Sequence, residues 1–275
     1  MEKANRITKS WNQSSPHIDK VMKLPFRSFS RKAATGSLGI VGVLVIWTVF
    51  AWLHLVPAAL LPGPLEVGAA AGSMLRNGSL LTHTIASLQR VLLGFLLAFG
   101  LALPLGFAMG TWKFLRNALN PLLELIRPIP PIAMIPLAIL WFGIGEMSKI
   151  FIIVYGAFFP ILLNVIGGVS QTEALHIKAA QSLGASRFHI FYYVTLRAAI
   201  PNIVIGMRSG VSMAFICLVG SELIAANAGL GFLIQEGRSL YKTDQVVVGM
   251  IAIGLVGLAI NRLLIAFESQ LIRWK

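Results

Sequence analysis

Residues 91–112 read VLLGFLLAFGLALPLGFAMGTW, twenty-two consecutive positions without a charged side chain. A helix needs about 20 apolar residues to cross the hydrocarbon core of a bilayer, so this tract predicts a membrane span. Outward from it the pattern recurs. Ala33 to Leu65 is uncharged, with a core at Ser37–Leu55 (SLGIVGVLVIWTVFAWLHL), and Leu119–Trp141, Ile150–Ser170, Ala198–Val219 and Val246–Ala266 follow. Charges inside these tracts are few: Glu124 and Arg127 near the start of the third, Arg208 in the fifth and Arg262 near the end of the sixth. The expected fold is an all-α integral membrane protein with six transmembrane helices. Composition agrees, with 56% apolar and 12% charged residues and a mean hydropathy of +0.79, where soluble domains carry about 25% charge. One cysteine, Cys217, excludes a disulfide framework and a cysteine zinc site.

The net charge of +13 invites a nucleic-acid reading, but a phosphate-binding face has to be solvated, and the apolar excess points to a membrane instead. Placing the basic residues in loops gives the orientation. Eight lie in the leading segment 1–32, two follow the second span (Lys113, Arg116), three follow the fourth (Lys178, Arg187, Arg197) and three lie at the C-terminal end (Arg262, Arg273, Lys275). The opposite side holds four: Arg76, Lys149, Arg238 and Lys242. Both termini are therefore expected in the cytoplasm. Residues 1–32 read as a basic tail attracted to anionic lipids, and 33–275 as the transmembrane domain. A cleaved signal peptide fits poorly, because the basic leader and the apolar core are both too long.

Several features interrupt the spans. In IRPIPPIAMIPLAILWFGIG, Pro128, Pro130, Pro131 and Pro136 each remove a backbone donor, so no regular helix runs through, and irregular backbone at this depth survives only against protein or a wet cavity. The stretch SELIAANAGLGFLIQEG at 221–237 is apolar for too short a run to cross; it reads as a re-entrant gate or as a folded external loop. Gly106–Gly110 and Gly206–Gly210 have the spacing that lets helices approach closely. A guanidinium at a helix centre costs about 2.5–3.5 kcal/mol on insertion scales, so Arg208 is expected to face a cavity or a partner. Candidate pathway residues are Asn164, Arg208, Ser209, Ser212 and Glu222. Ser209 and Ser212, at i and i+3, are expected to share one cavity.

Between the fourth and fifth spans lies the polar segment 171–197. A short helix over 171–183 is expected to stop at Gly184 as a C-cap glycine, and Ser186 to cap a second helix through Phe191 and Leu196. The segment resembles the EAA loop of permease subunits of binding-protein-dependent ABC importers: Glu-Ala-Ala, three residues, Gly, nine residues, then Ile-x-Leu-Pro. Here Lys178-Ala179-Ala180, Gly184 and Val194-Thr195-Leu196-Arg197 occupy those places. Lys178 stands for the glutamate and Arg197 for the proline. The resemblance runs over most of residues 60–270 and is strongest to the nitrate/sulfonate/taurine branch, through LLPGPLEV at 60–67, SLQRVLLGF at 87–95 and IRPIPPIAMIPLAILWFGIGEMSKI at 126–150.

The resemblance implies a type I ABC importer permease fold working as two copies of the chain with two cytoplasmic ATP-binding subunits and an external solute-binding protein. Leu175, Lys178, Ala179, Ala180, Gly184, Ala185 and Arg187 would form the coupling elbow on the ATPase. No G-x-x-x-x-G-K-[ST] loop is present, so ATP and magnesium would be bound by the partner ATPase, and this chain would carry no cofactor or metal. The five histidines are scattered and no paired carboxylates occur, which argues against an enzyme. The expected cargo is a small anion, an aliphatic sulfonate or taurine first; nitrate or bicarbonate is the alternative, and a gradient-driven transporter a further one.

Overall fold

The computed structural model describes residues 39, 41–53, 57 and 60–271; the basic tail at 1–32 lies outside them. The chain divides into two units, Met1–Ala58 and Ala59–Lys275. In the first, the described residues form one apolar helix, α1 (Val41–Trp52), about 18 Å long at 1.5 Å per residue. The ends of the first expected span fall outside the described residues.

The second unit is helical throughout its described residues. α2 (Pro64–Arg76) begins with proline at its first position, where the missing N–H has no helical partner to lose, and the Glu66 carboxylate accepts the Gly63 N–H at 3.0 Å. Gly78, at φ 77°, turns the chain into α3 (Ser79–Thr111). Then come α4 (Lys113–Ile126), a 3-10 turn at Pro131–Met134, α5 (Ile135–Phe142), α6 (Glu146–Ser170) and α7 (Ala174–Ser182). The unit closes with α8 (Arg187–Ile224), α9 (Leu230–Ser239) and α10 (Thr243–Leu271).

α6 is the central helix, packed between α3 and α8, and glycines set how close the three approach. A Cβ at Gly94, Gly106 or Gly110 of α3 would come within 2.5–2.6 Å of Ile153, Val165 or Val169 of α6. A Cβ at Gly210 would sit 2.7 Å from Ile161, and one at Gly206 2.9 Å from the Asn164 Cβ. Both glycine pairs read from the sequence are therefore packing seams. The matched order along α3 and α6 makes them parallel; the reversed order along α6 and α8 makes those two antiparallel. The core follows this layout, with Ala98, Met109, Ile153, Ile161, Leu162, Ala214 and Leu218 all fully or almost fully buried.

Among the described residues, α3, α6, α8 and α10 are long and apolar enough to cross a membrane, and the α4–α5 pair is a fifth candidate. α4 leaves the Ser170 end of α6, where the Arg116 guanidinium donates to Ser170 Oγ at 3.0 Å. The chain enters α6 at Glu146, which is bonded to Arg90 of α3. Residues 113–145 thus run from one end of α6 to the other, so the broken pair traverses the layer. Rows of leucine on α3 (Leu92, Leu93, Leu96, Leu97, Leu101) and Met250, Ile251, Leu255 and Leu258 of α10 point outward, exposed. An apolar exterior on helices whose backbone bonds are internally satisfied suits a bilayer.

Three expectations are corrected. The second span begins not at Val91 but at Ser79, because an apolar window misses a polar first turn that a helix tolerates. The third span is not one helix over Leu119–Trp141: α4 and the 131–142 segment meet at an 83° bend, as four prolines require. The second helix of the elbow is not separate, since it continues through a π-helical stretch at Ile190–Thr195 into α8.

Candidate functional site

The proline block builds a cavity. Pro130 has no N–H to offer the carbonyl of Ile126, one turn earlier, and that carbonyl is met instead by the Ile129 N–H at 3.0 Å and the Tyr155 hydroxyl at 3.0 Å. The same hydroxyl lies 3.2 Å from the Ile129 carbonyl. Tyr155 of α6 therefore holds the break open in a fixed shape. Beside it is a cavity of about 470 Å³ bordered by Arg127 and Pro131 at the break, Tyr155, Phe159 and Asn164 on α6, and Ser209 and Met213 on α8. The Asn164 amide donates to the Pro160 carbonyl at 2.8 Å, which leaves its oxygen free to accept. Arg127 makes no ion pair among the described residues.

Asn164 and Ser209 are thus brought together. Ser212 and Arg208 are not with them: they border a second cavity of about 320 Å³ facing α10, with Phe215 and Asn261. The expectation of one cavity for Ser209 and Ser212 is wrong because α8 is wedged between α6 and α10, and the roughly 60° between i and i+3 falls across that seam. Arg208 has a partner in Glu268, at 3.0 Å.

Glu222 sits elsewhere again, its carboxylate fully buried at the opposite end of α8 from the elbow. It accepts from Arg90 at 2.6 Å, from Ser87 Oγ at 2.8 Å and from the Gly231 N–H at 2.8 Å. Arg90 is also paired through two nitrogens with Glu146, at 2.6 and 2.8 Å, and Lys149 meets Glu146 at 2.9 Å. The segment entering α9 is tied down by the same group: Leu230 N–H donates to Ser87 Oγ at 2.7 Å, Gly229 N–H to His83 Nδ1 at 3.1 Å, and Arg90 reaches the Ala228 carbonyl. The 221–237 stretch is therefore the end of α8 followed by the short helix α9, whose entry is clasped by α3 and α8. Sequence reading missed Ser87, Arg90, Glu146 and Lys149 as members of this cluster. The available signal was that four ionisable groups at the rims of three apolar tracts cancel in charge.

At the other side of the layer the elbow forms as its punctuation dictates. Gly184, at φ 77°, closes α7 in a Schellman motif, with Gly184 N–H to Gln181 O at 2.9 Å and Ala185 N–H to Ala180 O at 3.0 Å. Ser186 Oγ then accepts the His189 N–H and caps the entry to α8. Lys178, Ala179 and Gly184 are exposed, and Arg187 and Ile177 border a cavity of about 510 Å³ beneath the elbow with Arg116 and Thr172. Arg197, where the loop pattern has proline, lies over the Tyr193 ring at 5.3 Å, a cation–π contact.

Membrane-length helices, a cavity at a broken helix, a buried charged cluster at one end and an exposed elbow at the other fit a membrane transport protein. A family model for the binding-protein-dependent transport system inner membrane component matches residues 91–274. A putative ABC transporter permease of Methanocaldococcus jannaschii is 46% identical, over 74% of this chain and 76% of its own. The taurine transport system permease TauC of Escherichia coli K12 is 36% identical, over 92% of this chain and 94% of its own. Among solved structures, the MetNI methionine ABC transporter in inward-facing conformations aligns with a TM-score of 0.50 at 21% identity, covering 65% of this chain and 92% of that one. The chain belongs to the family of inner-membrane permease components of binding-protein-dependent ABC transporters.

Proposed function

We propose that this chain is the membrane subunit of an ATP-driven importer that carries a small anion, an aliphatic sulfonate or taurine before nitrate or bicarbonate, across the bacterial cytoplasmic membrane by alternating access. Two copies would assemble with two ATPase subunits, which bind ATP and magnesium, and receive cargo from an external binding protein. A sixth crossing would come from the tract that includes α1, with both termini in the cytoplasm. The taurine permease relative supports the cargo class, and the cavity with Asn164 and Ser209 supports a pathway along α6.

The observation that carries the reading is the elbow. Leu175, Leu183 and Phe188 are 71%, 88% and 73% exposed, on a helix pair made rigid by its glycine and serine caps. Large apolar side chains held out from the polar end of a membrane protein are a docking surface in want of a soluble partner. The elbow residues Leu175, Lys178, Ala179, Ala180, Gly184, Ala185 and Arg187 would sit in a groove of the ATPase, so that closure of the ATPase pair moves α7 and, through the unbroken α8, the cavity wall. A state change of this kind needs a differential contact in the two states, and the elbow would supply it. The test is Gly184→Asp. A left-handed glycine cannot be replaced there without strain, so the expected result is loss of ATPase co-purification and of ATP-dependent uptake, with the permease still inserted in the membrane. Normal co-purification and uptake would overturn the docking assignment.

A further inference from the structure

Most embedded charges are paired, and Glu124 and Arg127, one turn apart at the end of α4, are in no ion pair among the described residues. Arg90 and Lys149 are met by Glu146 and Glu222, and Arg208 by Glu268. Arg127 is different. It sits where α4 ends, beside Tyr155 of α6, about 13 Å along the helix from Glu146 and about 22 Å from Ser170. That is membrane depth, and no acidic side chain is among the residues around its cavity. A guanidinium there without an ion pair is a candidate functional site.

The rest of the lining says what binds. Ile129, Pro131, Phe159, Leu163 and Met213 give the cavity a mainly apolar wall, and its volume lies in the range of about 300–1,000 Å³ usual for small-molecule pockets. A bare inorganic anion would satisfy Arg127 and leave that wall to water. An ammonium group would find no carboxylate, only the ring faces of Tyr155 and Phe159. The composition therefore fits a molecule with one anionic head and a short apolar tail.

We propose that the proline-break cavity is an alkanesulfonate site, with Arg127 binding the sulfonate, Ser209 and Asn164 adding hydrogen bonds, and the alkyl chain lying against Pro131, Phe159 and Met213. The site selects plain alkanesulfonates over the aminosulfonate taurine. This deepens the importer reading and rests on it for its biological meaning, but the binding chemistry stands separately. Tyr155 is a positioning residue: its hydroxyl fixes the break that places Arg127.

Thiol labelling tests the site without transport. Ser209→Cys, in the membrane-inserted permease complex, is treated with 2-sulfonatoethyl methanethiosulfonate or with its trimethylammonium-ethyl counterpart; each forms a mixed disulfide and releases methanesulfinate. Cys217 is fully buried, and the unsubstituted chain is the control. The ratio of anionic to cationic labelling rates is expected to fall roughly tenfold or more on Arg127→Gln and to hold on Arg127→Lys. Butanesulfonate should protect better than equal nitrate or taurine. Met213→Cys repeats the readout if Ser209→Cys does not assemble. An unchanged ratio in Arg127→Gln, no labelling at either position, or equal protection by nitrate would overturn the site. ATP-dependent uptake of labelled butanesulfonate separates the two claims. Charge-selective labelling without uptake would leave the site and sink the importer reading; uptake with an unchanged ratio would do the reverse.

Discussion

Replacing Glu222 by alanine should strongly destabilise this protein. The change leaves the Ser87 hydroxyl, the Gly231 N–H and one Arg90 nitrogen without their acceptor in a site closed to water. Removing one member of a buried pair costs about 3–5 kcal/mol. Arg90 keeps Glu146 and the Ala228 carbonyl, which places the expected cost near the lower end, about 3 kcal/mol. At about 2–4 °C per kcal/mol for a chain of this size, the melting temperature should fall by roughly 6–12 °C. Cys217 supplies the assay, because it is the single cysteine and is fully buried; a maleimide fluorophore added in detergent lights up only as the helices separate. Arg208→Ala is the internal reference. Its pair with Glu268 is partly exposed at both ends, so water replaces much of what is lost, and the cost should be about 1 kcal/mol or less. Arg90→Ala combined with Glu222→Ala should be milder than the sum of the two, since each single change strands a charge that the pair removes together. A Glu222→Ala melting curve matching the unsubstituted protein, or a larger shift from Arg208→Ala, would refute the reasoning.

Gly106→Val should prevent close seating of α3 on α6, because its Cβ alone would lie 2.6 Å from Val165 Cγ1; overpacking of this kind costs about 1–3 kcal/mol or more, and detergent-extracted protein should be recovered as aggregate by size-exclusion chromatography. Arg208→Ala removes the pair with Glu268, both partly exposed, for about 1 kcal/mol or less; cargo uptake should keep its half-saturating concentration, measured with labelled sulfonate in proteoliposomes. A selective loss of anion affinity in that variant would move the site from Arg127 to Arg208.

How much of this was legible depended on whether the signal was local. Membrane helices must be apolar along their length, so α3, α6, α8 and α10 appear in the sequence as uncharged tracts. The elbow was legible because Gly184 and Ser186 act within one turn of themselves. The proline block announced a break, but its 83° angle depends on where Tyr155 of another helix caps the freed carbonyls. The Arg90–Glu222 pair, 132 residues apart, needed the parallel run of α3 with α6 and the return of α8. Ser209 and Ser212 failed as a pair for the same reason: their spacing was known, but not which neighbour stood between their directions.

The net charge of +13 carries little about cargo, since the loop positions of most basic residues read as orientation signals and Arg90, Lys149 and Arg208 are paired with carboxylates. What remains is Arg127 at its cavity, with Glu124 one turn earlier on α4 and not among the residues that border it. Arg127 is exposed beside its cavity, so a bound sulfonate would exchange hydration for a charge-assisted hydrogen bond, an exchange that reverses when the sulfonate leaves. That balance is what a pathway needs, because cargo has to be attracted into the cavity and still released from it. A second cation in the same cavity would bind the anion more tightly and slow its exit, and a carboxylate on the cavity wall facing Arg127 would weaken the attraction. Introducing Asn164→Asp on the same wall should therefore lower anion-selective labelling at Ser209→Cys as Arg127→Gln does, while leaving Arg127 in place.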